Sequence, residues 1–251
     1  MHLAIYRDPQ KIAEYLENWI KDEFTAAGTK KAVLGISGGI DSALLAGLLC
    51  RALGSENVTG IMMPCHSGAI DEQYALLLAE KFNFKTYKID ISESYDTLQK
   101  AITQELGSLS DLPSANIKPR LRMTTLYSVA QQHGALVCGG GNKDEITYGY
   151  FTKYGDSGVD LLPLADLLKG EVWSTAEYIG IPQEIVDRPP TAALWEGQTD
   201  EKEMGMTYAE LDTYIAIGSA SDAVKDKIEK AKTKTAHKRA FPHMAILPKE
   251  L

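Results

Sequence analysis

The sequence predicts an α/β protein with a doubly wound, mainly parallel sheet and helices on both faces, a Rossmann-like arrangement. Two observations carry this prediction. Short apolar segments of strand length alternate with longer segments of helical periodicity over the first 140 residues, an order typical of parallel sheets. The first and the last of these strands each end in a glycine-rich turn. Ligands of such sheets bind beyond the carboxyl ends of the strands, so a site is expected at these turns.

The first elements are defined by the spacing of their apolar residues. Residues 10–27 carry apolar side chains three and four positions apart, which predicts a helix. The short apolar segment 31–36 predicts a buried strand. Ser37-Gly38-Gly39 then forms a turn into a helix over residues 41–53.

The same alternation continues to residue 138. It predicts strands at 57–62, 85–89 and 135–138, and helices at 71–82, 93–107 and 119–133. The last strand runs into Gly139-Gly140-Gly141. Because both glycine runs fall at strand ends, we expect the topology to pair them across one crevice.

The pattern weakens after residue 150. Residues 151–160 are predicted to form a loop, 169–179 a helix, and 189–206 a long connection. Two closing helices are predicted at 208–217 and 222–232. No repeat or linker interrupts the sequence, so we expect one domain over residues 1–251.

Composition limits the function classes. The formal net charge of -8 argues against nonspecific binding of nucleic acid. Three cysteines, odd in number and without a C-x-x-C pair, favour a reducing cytoplasm over a disulfide framework. The N-terminus lacks the pattern of a signal peptide, and the most apolar segment, 43–50, is too short to span a membrane. A soluble cytoplasmic protein is expected.

The first glycine turn lies in the segment LGISGGIDSALL, residues 34–45. A strand, a glycine turn and a helix N-terminus together present backbone N–H groups and a positive partial charge to an anion. Asp41 would repel a phosphate unless a cation lay between them, which indicates Mg²⁺. The lysine of a G-x-x-x-x-G-K-[ST] loop is absent. The alternative interpretation is a tight turn with a helix cap at Asp41.

Ser37-Gly-Gly-Ile-Asp-Ser42 resembles the pyrophosphate-binding loop of the ATP pyrophosphatases, which share the adenine nucleotide alpha-hydrolase type of fold. These enzymes cleave ATP between the α and β phosphates and adenylate a substrate. The loop does not choose among their branches. The later segments NIKPRLRM, GNKDE, GYFTKYGD, PPTAALW, GQTDE and HKR together resemble the ammonia-dependent NAD synthetases. The resemblance covers residues 10 to 245, and YFTKYGD is its most specific motif.

This resemblance implies a C–N ligase. The nicotinate carboxylate of deamido-NAD would attack the α-phosphorus of ATP, and ammonia would then displace AMP from the acyl-adenylate. It also implies Mg²⁺, a homodimer and, because glutamine-using relatives carry a separate amidase domain, no glutaminase domain within 1–251. Neither nucleic acid nor membrane is an expected partner.

Site residues follow by matching motif positions. The resemblance implies that ATP is bound by Gly35, Ile36, Ser37, Gly38, Gly39, Ile40, Asp41, Ser42, Gly140, Lys169 and Thr191. It implies that deamido-NAD is bound by Arg120, Lys153, Asp160, His237 and Lys238. Asp41 and Glu145 would hold Mg²⁺, and Asp41, Lys169 and Glu145 would act in catalysis. Gly140 stands where a threonine is common in the family, so only its backbone remains for a contact.

Two other functions stay open at this stage. A tRNA-modifying ATP pyrophosphatase would use the same loop, but it predicts a basic extension that the sequence lacks. A non-catalytic adenine-nucleotide-binding module predicts the loss of Asp41, Glu145 or Lys169, and all three are present. Taken singly, Glu145 also fits a solvated acid in a first helical turn, and His237-Lys238-Arg239 a basic tail.

Overall fold

The sheet of the protein is parallel, as its sequence predicts. The structure, a computed structural model, describes residues 5–190 and 199–249. Within them the strands lie in the order β3-β2-β1-β4, with every pair parallel. The strands are β1 (Ala32–Gly35), β2 (Val58–Met62), β3 (Lys85–Lys88) and β4 (Leu136–Cys138).

Helices follow each strand. Those before residue 150 are α1 (Pro9–Ala26), α2 (Ile40–Leu53), α3 (Ala69–Phe82), α4 (Ser92–Leu106), α5 (Asp111–Ala115), α6 (Ile117–His133) and α7 (Lys143–Tyr148). Those after it are α8 (Lys169–Ile179), α9 (Gln183–Val186), α10 (Asp200–Met204), α11 (Tyr208–Ile217) and α12 (Asp222–Lys234). None of the helices in the described residues is both long and apolar enough to cross a membrane.

Both faces of the sheet are covered, which confirms the predicted doubly wound class. Successive side chains of a strand point to opposite faces. Ala32 and Leu34 of β1 accordingly pack in the cluster built by α1, α2, α3 and α8. Val33 packs on the other face with Leu126 and Ala130 of α6. The edge strand β3 is largely polar and carries an exposed lysine at each end, which protects an unpaired edge.

A third apolar cluster joins the C-terminal helices to the sheet domain. It contains Met204, Met206, Tyr208, Leu211 and Ile228, with Tyr148 and Trp173 packed against it. Helices α10, α11 and α12 are thereby held against α7 and α8. This packing brings residues of the C-terminal helices next to α7 and α8.

Two local predictions differ from the structure. The connection predicted over 189–206 contains the short helix α10. Its sequence is rich in charged residues and shows no apolar periodicity from which a helix could be predicted. Pro119 does not open the helix after α5, because α6 begins two residues earlier at Ile117. Pro119 still lies in the first turn, where its missing N–H costs no helical hydrogen bond.

Candidate functional site

One cavity opens at the carboxyl edge of the sheet. Because β1 and β4 are neighbours, the two glycine turns lie side by side, as predicted. A Cβ at Gly140 would be 3.4 Å from the backbone of Asp41. The cavity measures about 970 Å³. Of the predicted site residues, those that line it are Gly35, Ile36, Ser37, Gly39, Ile40, Asp41, Ser42, Gly140, Glu145 and Lys238.

The loop between β1 and α2 depends on glycine at its tip. Gly38 has φ +74°, and a Cβ there would lie 2.6 Å from the carbonyl oxygen of Asp71, so a side chain would be excluded both by strain and by contact. Gly39 is the N-cap of α2, which places Asp41 in the first turn and not at the cap. The hydroxyls of Ser37 and Ser42 lie 3.1 Å apart within the loop.

Asp41 faces a buried lysine. Its Oδ2 lies 2.5 Å from Nζ of Lys169, and its Oδ1 accepts a hydrogen bond from Nδ2 of Asn142 at 2.9 Å. Lys169 is 1% exposed. Burial disfavours its charged form, but the carboxylates of Asp41 and Glu145 outweigh this and raise the pKa of Lys169. The ammonium therefore stays charged inside the protein.

Glu145 is oriented by a capping box at the start of α7. The side chain of Asn142 accepts the N–H of Glu145 at 3.0 Å, and Oε2 of Glu145 accepts the N–H of Asn142 at 3.2 Å. Burial, followed by repulsion from the Asp41 carboxylate, raises the pKa of Glu145 well above its ordinary value. Both side chains line the cavity, and two neighbouring carboxylates favour a cation close to them.

These residues fit a magnesium ion. The acidic groups of Asp41, Glu145 and Asp200 all act electrostatically on the single ammonium of Lys169, so three acidic groups lie near one basic group. Hard oxygen ligands suit Mg²⁺, which takes one or two carboxylates and completes its shell with water and substrate phosphates. Among the described residues, no group of three His, Cys, Asp or Glu side chains is placed to hold a metal ion.

Lys169 opens α8, and its backbone is held by two further carboxylates. Its N–H is shared by Oδ2 of Asp144 at 2.9 Å and Oδ1 of Asp212 at 3.1 Å. Burial and the neighbouring Asp212 carboxylate raise the pKa of Asp144 to about 9. Nζ of Lys169 lies beside two aromatic rings, those of Trp173 and Tyr208, at 5.8 Å and 5.1 Å from their centroids.

The residues predicted for deamido-NAD lie in two places. Nε of Arg120 donates to the carbonyl of Lys153 at 3.3 Å, and Nζ of Lys153 donates to the carbonyl of His237 at 2.6 Å. Nζ of Lys238 donates to the carbonyl of Gly149 at 2.8 Å. These four predicted residues therefore form one chain of contacts, which reaches the cavity at Lys238.

Asp160 is held differently. Its carboxylate accepts the N–H of Val137 at 2.8 Å and the hydroxyl of Tyr127 at 3.0 Å. These contacts fasten the segment after β4 to the strand and to α6. Thr191, predicted to contact ATP, lies outside the described residues.

The cavity is also lined by residues outside the predicted site, and three of these are Arg122, Arg188 and Asp200. Arg122 lines the cavity and donates to the carbonyl of Met63 at 3.2 Å, and burial lowers the pKa of Arg122. Arg188 donates to the carbonyl of Gly38 at 3.0 Å and pairs with Asp71 at 2.5 Å. Asp200, from the connection, is the third. The motif NIKPRLRM holds Arg120 and Arg122, and only the direction of α6 shows that Arg122 faces the cavity.

Comparison with known proteins agrees with this geometry. The sequence model of the NAD synthase family matches residues 12–242. The chain belongs to this family. NH3-dependent NAD+ synthetase from Finegoldia magna is 47% identical over 231 residues, which cover 92% of this chain and 94% of that protein. The family to which the sequence motifs point, the ammonia-dependent NAD synthetases, is thus confirmed.

Solved structures of the NAD synthase family have the same fold. NMN synthetase from Francisella tularensis superposes with a TM-score of 0.89 at 36% identity, over 97% of this chain and 99% of that one. NH3-dependent NAD synthetase from Campylobacter jejuni superposes with a TM-score of 0.78 at 28% identity, over 96% of this chain and all of that one. These matches confirm the predicted fold class.

Proposed function

We propose that the chain is a ligase that uses ATP to amidate the nicotinate carboxylate of deamido-NAD with ammonia, giving NAD, AMP and pyrophosphate. The observation that carries this function is the buried ammonium of Lys169, paired with Asp41 at the start of α2. A buried cation beside a glycine loop and a helix N-terminus suits the phosphates of ATP. The similarity of the chain to NH3-dependent NAD+ synthetases supports the same activity.

In the first step a carboxylate oxygen of the substrate attacks the α-phosphorus, and the bond to the bridging oxygen breaks as pyrophosphate leaves. Lys169, Gly140 and residues 35–42 are proposed to hold the phosphates, together with Thr191. Donors fixed before the reaction stabilise charge as it develops. Asp41 and Glu145 would hold Mg²⁺, which when bound neutralises phosphate charge.

In the second step ammonia attacks the acyl carbon, loses a proton and displaces AMP. Neither step requires a nucleophile from the protein. The cysteines agree with this, since all three are buried and burial raises the pKa of Cys138 to about 12. A buried thiol of this kind is not a reactive group.

The chain of contacts from Arg120 through Lys153 and His237 to Lys238 is proposed to bind deamido-NAD, and Asp160 is proposed to contact it from its separate position. The dinucleotide carries a pyrophosphate, and Arg and Lys supply the cations that such groups need. Arg120 and Lys153 donate to carbonyl groups, and within residues 5–190 and 199–249 neither forms an ion pair with a carboxylate. We place the reaction in the cytoplasm, where the free cysteines would persist.

The experiment that tests this function is product analysis by mass. The purified chain is incubated with ATP, Mg²⁺, deamido-NAD and ammonium. We expect NAD and AMP in equal amounts, because each amide formed releases one AMP. ADP in place of AMP would contradict the assignment of the loop to pyrophosphate release, and AMP without NAD would contradict the acceptor.

Two control arms use the same assay. Glutamine in place of ammonium is expected to give no NAD, because we propose that residues 1–251 form a single synthetase domain without glutaminase activity. Equal turnover with glutamine would contradict that. A reaction without deamido-NAD measures any ATP hydrolysis that is not coupled to amidation.

A second substrate is favoured by one comparison. The Francisella tularensis structure, with the higher TM-score of the two reported, is an NMN synthetase. The same amidation would then act on nicotinic acid mononucleotide. A kcat/KM for the mononucleotide above that for deamido-NAD would make it the preferred substrate, and the reverse order would leave deamido-NAD in place.

We propose that the chain acts as a homodimer. Arg120 is exposed and Lys153 is half-buried, at the end of this chain of contacts opposite Lys238, where a second chain would complete the site. Sedimentation at micromolar concentration is expected to give twice the mass of 27.5 kDa. A monomer with full activity would contradict this proposal.

A further inference from the structure

Helix α11 contributes no residue to the predicted site, yet it contacts Lys169 at two points. The ring centroid of Tyr208 lies 5.1 Å from Nζ of Lys169. Oδ1 of Asp212 lies 3.1 Å from the backbone N of the same residue. Residues four apart share one face of a helix. One face of α11 thus holds both the main chain and the side chain of Lys169.

Asp212 fastens the first turn of α8. Its Oδ1 accepts the N–H of Lys169, and its Oδ2 accepts the N–H of Gly170 at 3.0 Å and the hydroxyl of Tyr6 at 2.7 Å. These N–H groups have no partner within their own helix, and a carboxylate at a helix N-terminus also has favourable electrostatics. Asp212 is 1% exposed, so water is a poor substitute for it. The arrangement fixes the backbone from which Lys169 extends.

Tyr208 fixes the other end of the lysine. Its ring stands perpendicular to that of Trp173, with centroids 6.0 Å apart, and the ammonium lies near both faces. The hydroxyl of Tyr208 donates to Oδ2 of Asp200 at 2.9 Å, which holds the ring in place. A lysine side chain has several rotatable bonds, and contact with these two rings restricts them while its ammonium pairs with Asp41.

We propose that Tyr208 and Asp212 are positioning residues for the reaction, and that they act only through the place of the Lys169 ammonium at the ATP phosphates. Neither residue lines the cavity, and Lys169, which does not line it either, is linked to it by its pair with Asp41, which does. The proposal rests on the proposed function of Lys169 as an ATP ligand. Preorganisation of this kind contributes to rate because a small displacement of a charged group weakens its contact with the transition state.

The test is a double-mutant cycle with Asp212→Asn and Lys169→Gln. Asparagine keeps the size of the side chain but turns an N–H donor toward the N–H groups of α8. We expect Asp212→Asn to lower kcat at least tenfold and to raise the Kd for Mg-ATP, measured by equilibrium dialysis, at least fivefold. The KM for deamido-NAD should stay within twofold. In the Lys169→Gln chain, the same change should alter the Kd for Mg-ATP less than twofold.

The matched control is Ile228→Ala. Ile228 is fully buried in the same C-terminal cluster, so its truncation lowers the melting temperature without touching Lys169. We expect its kcat and its Kd for Mg-ATP to remain within twofold of the parent. This control distinguishes a displacement of the Lys169 ammonium from a general loss of protein stability.

Two outcomes would overturn the proposal. One is a parent-like kcat and Kd in Asp212→Asn; the other is an equal weakening of Mg-ATP binding in both backgrounds. If Asp212→Asn does not fold, Tyr208→Leu and Tyr208→Phe replace it. Leucine, which lacks the ring, should lower kcat at least fivefold more than phenylalanine, and equal effects would overturn the proposal. A parent chain that binds Mg-ATP but forms no NAD would refute the proposed function alone.

Discussion

Lys169→Gln is expected to lower kcat about a thousandfold, since removal of one fixed donor at a developing charge costs about 10²–10³ in rate. Lys169 is the cation that pairs with Asp41 at the phosphate loop, at 2.5 Å. Glutamine retains hydrogen-bonding groups but carries no charge. The measurement is the rate of AMP formation at saturating ATP, deamido-NAD and ammonium.

Lys143→Gln is the control for this prediction. Lys143 also lies at the start of a helix near the site, but its Nζ pairs with Asp166 at the surface, at 2.8 Å. Its replacement should leave kcat within twofold. A Lys169→Gln chain with kcat within threefold of the parent would contradict the role given to Lys169.

The same variant tests the stability of the buried pair. Removing one partner of a buried ion pair typically costs about 3–5 kcal/mol, because a charge is left without compensation. The cost here should fall at the lower end, since the Asp41 side chain is 23% exposed. A lower melting temperature is therefore expected together with the loss of rate, so kcat must be measured well below that temperature.

Much of the sheet domain could be predicted because its signals are local. Apolar periodicity in 10–27 and the glycine turn after β1 are visible in short windows of sequence, and the structure places α1 and α2 within two residues of the predicted bounds. The adjacency of the glycine turns followed from parallel topology alone. Fold and family are the parts that the sequence predicts best.

The supports of the site could not be predicted, because they join residues distant in sequence. The bond from Asp212 to the N–H of Lys169 spans 43 residues, and nothing near either residue indicates the other. The sequence motif predicts Arg120 and not Arg122 as a site residue, because a motif does not show which side of a helix faces the cavity. Asp200 was hidden in a charged segment, where a buried acid and a solvated acid have the same sequence signal.

Asp41→Asn is expected to lower kcat about a hundredfold and to raise the Mg²⁺ concentration needed for half-maximal rate at least tenfold. The amide is a neutral, weaker ligand for a hard cation than the carboxylate it replaces. Glu145 and Asp200 remain near Lys169, so the buried ammonium keeps compensating charge and the fold should persist. The rate is measured as a function of Mg²⁺ at fixed ATP.

This titration distinguishes two roles of Asp41. If Asp41 served only to pair with Lys169, its replacement would lower kcat and leave the half-saturating Mg²⁺ concentration unchanged. If Asp41 is a metal ligand, its replacement must also raise that concentration, because the loss of one anionic ligand weakens the binding of Mg²⁺. Asp222→Asn supplies the baseline, since Asp222 is an exposed first-turn acid of α12. An unchanged Mg²⁺ dependence in Asp41→Asn would leave Glu145 as the remaining protein ligand and confine Asp41 to the ion pair.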